Sequence, residues 1–334
     1  MKTTNTTTTA VLGTRAQMAD CSSLSGGLGF GAGRSLLSLA CAIALAQAGT
    51  AAAQTAPQES PWTVSVSATG GTIGGAKLDS GGDVSVDLVS GSVGVNYAPD
   101  WRWSAGVNLG AADYNFDFSG AGQLASLKPW SNVGITTVST PLRYAFDRKW
   151  GLFVQPSYQR AGTRNADDGD SAQWGAVAAV SYASAPRQLI GLGASVFNGL
   201  EKTRVYPILL IDWQLNDKLR LANPLTAGPT GPAGLEIVYA LGGNWELAAG
   251  GAYRSLRFRL DRDLAIAPNG VGEYTGVIGF GRLSYRFSPK VSLDLHAGGV
   301  FRTKVTLANT SGNTVVSEDA KTAPIAALSF RARF

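Results

Sequence analysis

Ser292, Asp294 and His296 alternate along one stretch of the chain, and His296 is the sole histidine of the sequence. These residue types are those of a hydrolytic triad: a nucleophile, an orienting acid and a base. On a strand, successive residues of one face stand ~7 Å apart, whereas nucleophile and base must meet at about 2.6–3.2 Å. The spacing therefore predicts a polar face, not a catalytic centre. Asp167-Asp168-Gly169-Asp170 offers hard oxygens to Ca²⁺, but the later bidentate glutamate and the ligand spacing of a calcium loop are missing. A solvated loop tip is the expectation. The sequence has no CxxC, HExxH, nucleophile elbow or phosphate-cradling glycine loop with its lysine. No catalytic residue, metal or cofactor is expected.

Cations are the more telling group. Arg102, Arg143, Arg204, Arg220, Arg254, Arg282, Arg286, Arg331 and Arg333 share the polar phase of alternating segments, against the acids Asp212, Glu236, Glu246 and Asp294. If that phase lines a wet interior, two readings stand open. A cation-rich wall in a low-dielectric tube would concentrate anions and disfavour cations. Alternatively the arginines pair with the carboxylates and fill the lumen as a salt-bridged plug. Gly94, Gly106, Gly110, Gly250 and Gly298 on the same phase leave space, and the arginines consume it.

The elements that must carry these residues repeat with period two. Trp62, Val64, Val66 and Ala68 alternate with Thr63, Ser65 and Ser67, and Trp101, Trp103, Ala105, Val107 and Leu109 alternate with Arg102, Ser104, Gly106 and Asn108. No long helical period competes. Charged residues are only 15% of the chain, 42 residues are glycine, and no stretch after the leader is apolar enough for a spanning helix. The ending, Pro324 to Phe334, puts apolar residues on even positions, Ser329, Arg331 and Arg333 on odd ones, and an aromatic last. That is the design of the closing strand of a membrane barrel, with Phe334 as an interfacial anchor.

Short turns recur at Tyr97–Trp101, Tyr144–Trp150, Tyr182–Gln188, Trp213–Leu219, Tyr239–Trp245 and Tyr285–Val291. Longer loops are expected near 69–83, 117–129, 161–171, 198–202, 224–232, 261–272 and 306–320. The six short turns, with a first strand at Trp62 and a last at Phe334, give an all-β, transmembrane, antiparallel up-and-down barrel of fourteen strands. Twelve is the alternative count, because Leu219 to Ala222 is short and Asn132 to Pro141 is blurred. Pro141, Pro156 and Pro207 mark expected bulges or strand ends. Two aromatic girdles are expected: Tyr97, Trp101, Trp103, Tyr144, Trp150, Tyr182, Trp213, Tyr239, Trp245, Tyr285 and Phe334 by the short turns, and Tyr114, Phe116, Tyr158, Trp174, Phe197, Tyr253 and Tyr274 by the long loops.

Ahead of the barrel, Ser35 to Gln47 is a short apolar run behind Arg34 and before Ala51-Ala52-Ala53. It predicts a secretory signal peptide cut after Ala53, within a leader of residues 1–53 whose true start is expected at Met18. Residues 54–61 are then a periplasmic lead-in and 62–334 the barrel. Cys21 and Cys41 both precede the cut, so the exported chain carries no disulfide. Losing Lys2, Arg15, Arg34 and Asp20 lowers the net charge from +5 to +3, too mild for nucleic acid.

From Val205 onward, Tyr206-Pro207 with Ile211-Asp212-Trp213-Gln214, Asn223-Pro224, Gly231-Pro232-Ala233-Gly234-Leu235-Glu236, Tyr253-Arg254-Ser255-Leu256-Arg257-Phe258-Arg259-Leu260 and Leu328 to Phe334 resemble a Gram-negative outer-membrane β-barrel family of unknown function. The resemblance covers residues 205–334 best. It implies a barrel in the outer membrane, the barrel-insertion machinery as a partner and Phe334 as the assembly signal which that machinery reads, and it carries no activity. Outer-membrane lipid, lipopolysaccharide included, is the other expected partner. Two functions are weighed: a passive channel for small solutes with weak anion preference, or an occluded barrel whose outer loops bind a partner.

Overall fold

The computed structural model describes residues 60–334. The leader, the cleavage site, both cysteines and nearly all of the lead-in lie outside the described residues. The chain forms β1 (Trp62–Lys77), β2 (Asp83–Tyr97), β3 (Trp103–Ser119), a single helical turn α1 (Gln123–Leu127) and β4 in two pieces (Asn132–Ser139 and Leu142–Ala145). It continues as β5 (Trp150–Thr163), β6 (Ala172–Ala185), β7 (Gln188–Gly199), β8 (Arg204–Gln214), β9 (Leu219–Ala222), β10 (Gly234–Gly242) and β11 (Trp245–Arg259). Last come β12 (Val271–Ser288), β13 (Val291–Ala308) and β14, again in two pieces (Thr314–Ala320 and Ala323–Arg333). Each strand pairs antiparallel with the next, and β14 returns to β1 through Ser65↔Arg333 to Ile73↔Ile325, closing a barrel of fourteen staves. Closure pairs the strands on both sides everywhere but beside the short β9, and an unpaired peptide group in hydrocarbon costs several kcal/mol.

Local chemistry sets the six short turns. Asp100 Oδ1 accepts the N–H groups of Arg102 and Trp103, Asp147 Oδ1 those of Lys149 and Trp150, and Asn216 Oδ1 those of Lys218 and Leu219. Each side chain folds the chain back in place of a ladder bond, a standard use of Asp and Asn. The start of β1 and Phe334 lie at this short-turn end, where Val64 and Phe334 exchange backbone hydrogen bonds of 3.0 and 2.8 Å.

The outer face is apolar. Leu192 is 70% exposed and Val205 63%, and Leu109, Ile237, Leu247, Leu295 and Leu328 are also exposed. So continuous an apolar surface suits lipid, not water.

The structure corrects several sequence expectations. β1 runs on to Lys77, so the first long connection is Leu78–Gly82 instead of 69–83. β13 and β14 likewise shorten the 306–320 loop to residues 309–313. Of the outer girdle, Tyr158, Trp174 and Tyr253 face outward and are exposed, whereas Tyr114, Phe116 and Tyr274 are buried inside the barrel. Their even positions on β3 and β12 place them on the inner phase, and aromatic type alone does not reveal a side. Pro141 sits in the break of β4, where Gly106 N–H reaches its carbonyl at 3.0 Å. Pro156 stays inside β5 opposite Ala176.

One stretch of wall is missing. β9 holds its place for four residues and leaves the ladder after Ala222. Above it, Arg204 to Leu210 of β8 pair with β7 alone. Asn223 caps the break: its Oδ1 accepts Ile211 N–H at 2.8 Å and its Nδ2 donates to the carbonyls of Leu209 at 2.9 Å and Gly234 at 3.0 Å. Because Ile211 and Leu209 present their peptide groups to this side, Pro207 does too, and its missing N–H costs no ladder bond.

Candidate functional site

The interior has three levels. At the short-turn end lies a polar vestibule of about 480 Å³, bordered by Ser67, Arg220, Glu246, Arg286, Arg331 and Arg333 among others. Next comes a buried charged cluster. Arg282 is 1% exposed and Asp294 0%. The Arg282 guanidinium holds Glu236 in a fork, Nη2 to Oε1 at 2.5 Å and Nε to Oε2 at 3.3 Å, and meets Asp294 at 3.4 Å. Asp294 takes a second fork from Arg331, at 2.8 and 3.2 Å, and the Ser284 hydroxyl at 2.5 Å. Two arginines thus face two carboxylates, all within hydrogen-bond reach, which is the condition for keeping such charges away from water.

The third level is apolar. Tyr114, Phe116, Phe118, Leu124, Phe258, Leu260, Tyr274, Val305 and Leu307 form one buried cluster. Trp130 meets Phe116, Phe118 and Phe258 edge to face at 5.9, 5.4 and 5.2 Å. Such pairs contribute ~0.5–1.5 kcal/mol beyond the area they bury. α1 helps shut this end: Glu318 of β14 accepts Leu124 N–H at 2.8 Å and the Ser80 hydroxyl at 2.8 Å. Arg259 ties three long-loop segments together, donating to the carbonyls of Asp170, Asn269 and Leu200 at 3.0, 2.8 and 2.7 Å.

Between the charged and apolar levels lies the chain that leaves the wall after β9. Residues 223–233 turn inward across the lumen. The Thr69 hydroxyl of β1 donates to Ala227 carbonyl, and also meets Ser329 Oγ at 2.9 Å. A side-chain carbon at Gly228 would sit 3.1 Å from His296 Nε2, so glycine is what fits over that ring. Pro229 lines a cavity of about 40 Å³ shared with Ile73, Tyr114, Arg254, Ile278 and Ile325. By composition 224–232 belongs with the long loops. Gly and Pro promote a turn equally well outside a barrel or within one.

The register places Arg282 opposite His296, Ser284 opposite Asp294 and Arg286 opposite Ser292. Among the described residues no hydrogen bond links the side chains of Ser292, Asp294 and His296; the carboxylate is committed to Ser284 and the two arginines. Arg286 pairs with Glu246, Arg220 with Asp212 at 3.1 Å, and Arg204 with Glu201 at 3.3 Å. Arg254 reaches across to the Tyr114 hydroxyl at 2.5 Å. Arg143 stacks 5.7 Å from the Phe153 ring centroid, and Arg333 is exposed opposite Ser65. Arg102 lies in the turn before β3, 5.3 Å from the Trp101 ring centroid, so it stands at the rim and not on a strand wall. Glu201 was not singled out from sequence, yet with a side chain 3% exposed it holds both Arg204 and Arg257. A loop glutamate carries no signal of that role until the register is known.

No protein-family model matches the chain, and no curated protein sequence matches it either. Among solved structures it is similar to an outer membrane channel from Pseudomonas putida F1, at 12% identity and a TM-score of 0.44, covering 84% of this chain and 100% of that one. It is also similar to a Pseudomonas aeruginosa FadL homologue, at 12% identity and a TM-score of 0.39, covering 81% and 89%. The translocator domain of the autotransporter NalP from Neisseria meningitidis matches at 12% identity and a TM-score of 0.32, covering 90% and 96%. The strand ladder itself makes this chain a fourteen-stranded transmembrane β-barrel of the outer-membrane type, the class that the resemblance over residues 205–334 implies.

Proposed function

We propose that the protein is an outer-membrane conduit for small solutes, closed at rest by residues 223–233 and weakly selective for anions. The observation that carries this reading is the departure of the chain from the wall after Ala222. A strand position that could have held ladder bonds is given up to a segment lying across the lumen against Thr69 and His296. Its removal would join the vestibule to the cavity beneath the aromatic lid. The anion preference follows from lumen cations that, among the described residues, meet no carboxylate within 4.0 Å, Arg143, Arg254 and Arg333, since fixed charge in a narrow tube biases which ions enter. In this orientation both termini of the mature chain face the periplasm and the Asp168 loop faces outside. Protection of an Asp168 epitope from protease on whole cells, with cleavage only after rupture of the outer membrane, would reverse it.

The test is conductance of the purified protein in a planar bilayer under a salt gradient. Brief openings with a reversal potential on the anion side support the proposal. The second reading, an occluded barrel acting through its outer loops, is favoured by the buried Arg282–Asp294 pairing and the aromatic lid. Silence of both the native protein and a variant lacking residues 225–232 would select it.

A further inference from the structure

On β13 the alternation is broken on purpose between Phe301 and Lys304. Gly276 of β12 stands against two residues, Arg302 and Thr303, in a β-bulge. Past it the inward phase passes from even to odd positions, and Thr303 takes it, 1% exposed. Arg302 is the extra residue, exposed, with a φ of 50°. That left-handed conformation is one that glycine adopts freely and other residues resist. Without the bulge, position 302 would point into the apolar core; with it, an arginine is turned to the outside.

Where it emerges matters. The outward residues Leu293, Leu295, Ala297, Gly299 and Phe301 span nine residues of β13, the ~9–11 that a strand needs to cross hydrocarbon. Arg302 follows directly, at headgroup height on the long-loop side. On β14, the pairs Val300↔Ala323 and Thr303↔Ala320 set Lys321 opposite Arg302. Lys321 N–H in turn bonds Lys77 carbonyl on β1 at 2.8 Å, bringing a third cation alongside. All three are exposed, on neighbouring strands ~4.8 Å apart. The acids nearby are Asp79, whose N–H bonds Asp319 carbonyl at 3.1 Å, Asp83, the register partner of Lys77, and Asp319, which sits 3.9 Å from Lys304. Among the described residues no carboxylate lies within 4.0 Å of Arg302, Lys321 or Lys77. Like charges opposite one another on a sheet repel; an anion between them reverses the sign.

We infer that Arg302, Lys321 and Lys77 form a binding site on the outside of the barrel for the phosphate of an outer-leaflet lipopolysaccharide. Arginine gives the paired donors that grip a phosphate, and the lysines add point charge. Phe301 below them, 43% exposed, meets the acyl chains of the same lipid. The site rests on the orientation given above and is independent of whether the lumen conducts.

The experiment uses the refolded barrel in detergent, with the unfolding temperature read from its heat-modifiable mobility on a gel. Lipid A raises that temperature for the native chain, and dephosphorylated lipid A does not. The variant Arg302→Gln/Lys321→Gln/Lys77→Gln needs about tenfold more lipid A for the same rise, a loss of about 1.4 kcal/mol. The control Lys128→Gln/Lys149→Gln, which removes two cations elsewhere, responds like the native chain. If the triple variant does not fold, Lys321→Gln alone is judged by the same readout. An equal rise in the variant, or in the native chain with dephosphorylated lipid A or inorganic phosphate, overturns the assignment.

Discussion

Asn223 stands in for a strand against Ile211: its backbone N–H bonds Ile211 carbonyl at 3.1 Å while its side-chain Oδ1 accepts Ile211 N–H at 2.8 Å. One carboxamide thus ends the ladder and satisfies peptide groups that hydrocarbon would leave bare. Asn223→Ala keeps the backbone bond but removes those of the carboxamide, to Ile211 N–H and to the carbonyls of Leu209 and Gly234, and each unsatisfied buried group costs about 1–3 kcal/mol. The urea midpoint of the barrel in vesicles should fall accordingly; an unchanged midpoint would mean that water or lipid headgroups already reach the break.

Burial decides how much each ion pair matters. Asp294→Ala strips partners from Arg282 and Arg331 inside the barrel and should destabilise it by about 3–5 kcal/mol. Glu246→Ala takes the partner from Arg286, whose side chain is 53% exposed, and should change stability by ~1 kcal/mol or less. Equal losses in urea unfolding would show that the charged cluster is hydrated in the membrane.

The turn at Asp147 gives a pH signature. Backbone N–H groups of Trp150 and Lys149 hold its carboxyl below the ordinary value of 3.8. A depressed folded pKa stabilises the fold above the unfolded value, and the gain is lost as pH falls through the folded one. Asp147→Ala should therefore be less stable than the native chain near neutrality, the difference closing below pH ~4. A gap that persists to lower pH would point to packing and not to charge.

Phe334 and Leu328 separate assembly from burial. Leu328 is 49% exposed on the lipid face and Phe334 37% exposed at its edge. If the insertion machinery reads the last residue, deleting Phe334 should lower the folded barrel recovered from membranes more than Leu328→Ala does. Equal yields would leave only the lost apolar contact and the two bonds to Val64.

Much of this architecture is legible in the chain because a barrel writes its inner and outer faces on alternate residues. The odd positions Ser329, Arg331 and Arg333 meet Thr69, Ser67 and Ser65 in register, as the period-two pattern implies. What the pattern could not carry was height and irregularity. Tyr114 and Trp174 look alike in sequence, yet one lies in the lid and the other in lipid, since only the neighbouring strand's phase separates them. The bulge at Arg302 resets the phase by one residue without a glycine to announce it. The inward course of 223–233 depends on contacts with Thr69 of β1 and His296 of β13, far off in sequence. Likewise, the pairing of Arg282 with Glu236 across 46 positions is a matter of fold, so the count of cations alone overstated the free charge of the lumen.

The central claim, that residues 223–233 close a conduit, is tested most directly by tying that segment to the wall. The described residues contain no cysteine, so Thr69→Cys with Ala227→Cys introduces a single cross-link where the Thr69 hydroxyl now meets Ala227 carbonyl. In a planar bilayer the oxidised protein should be silent, and reductant added to the same membrane should restore openings at the native frequency. Conductance that is identical before and after reduction would contradict the account.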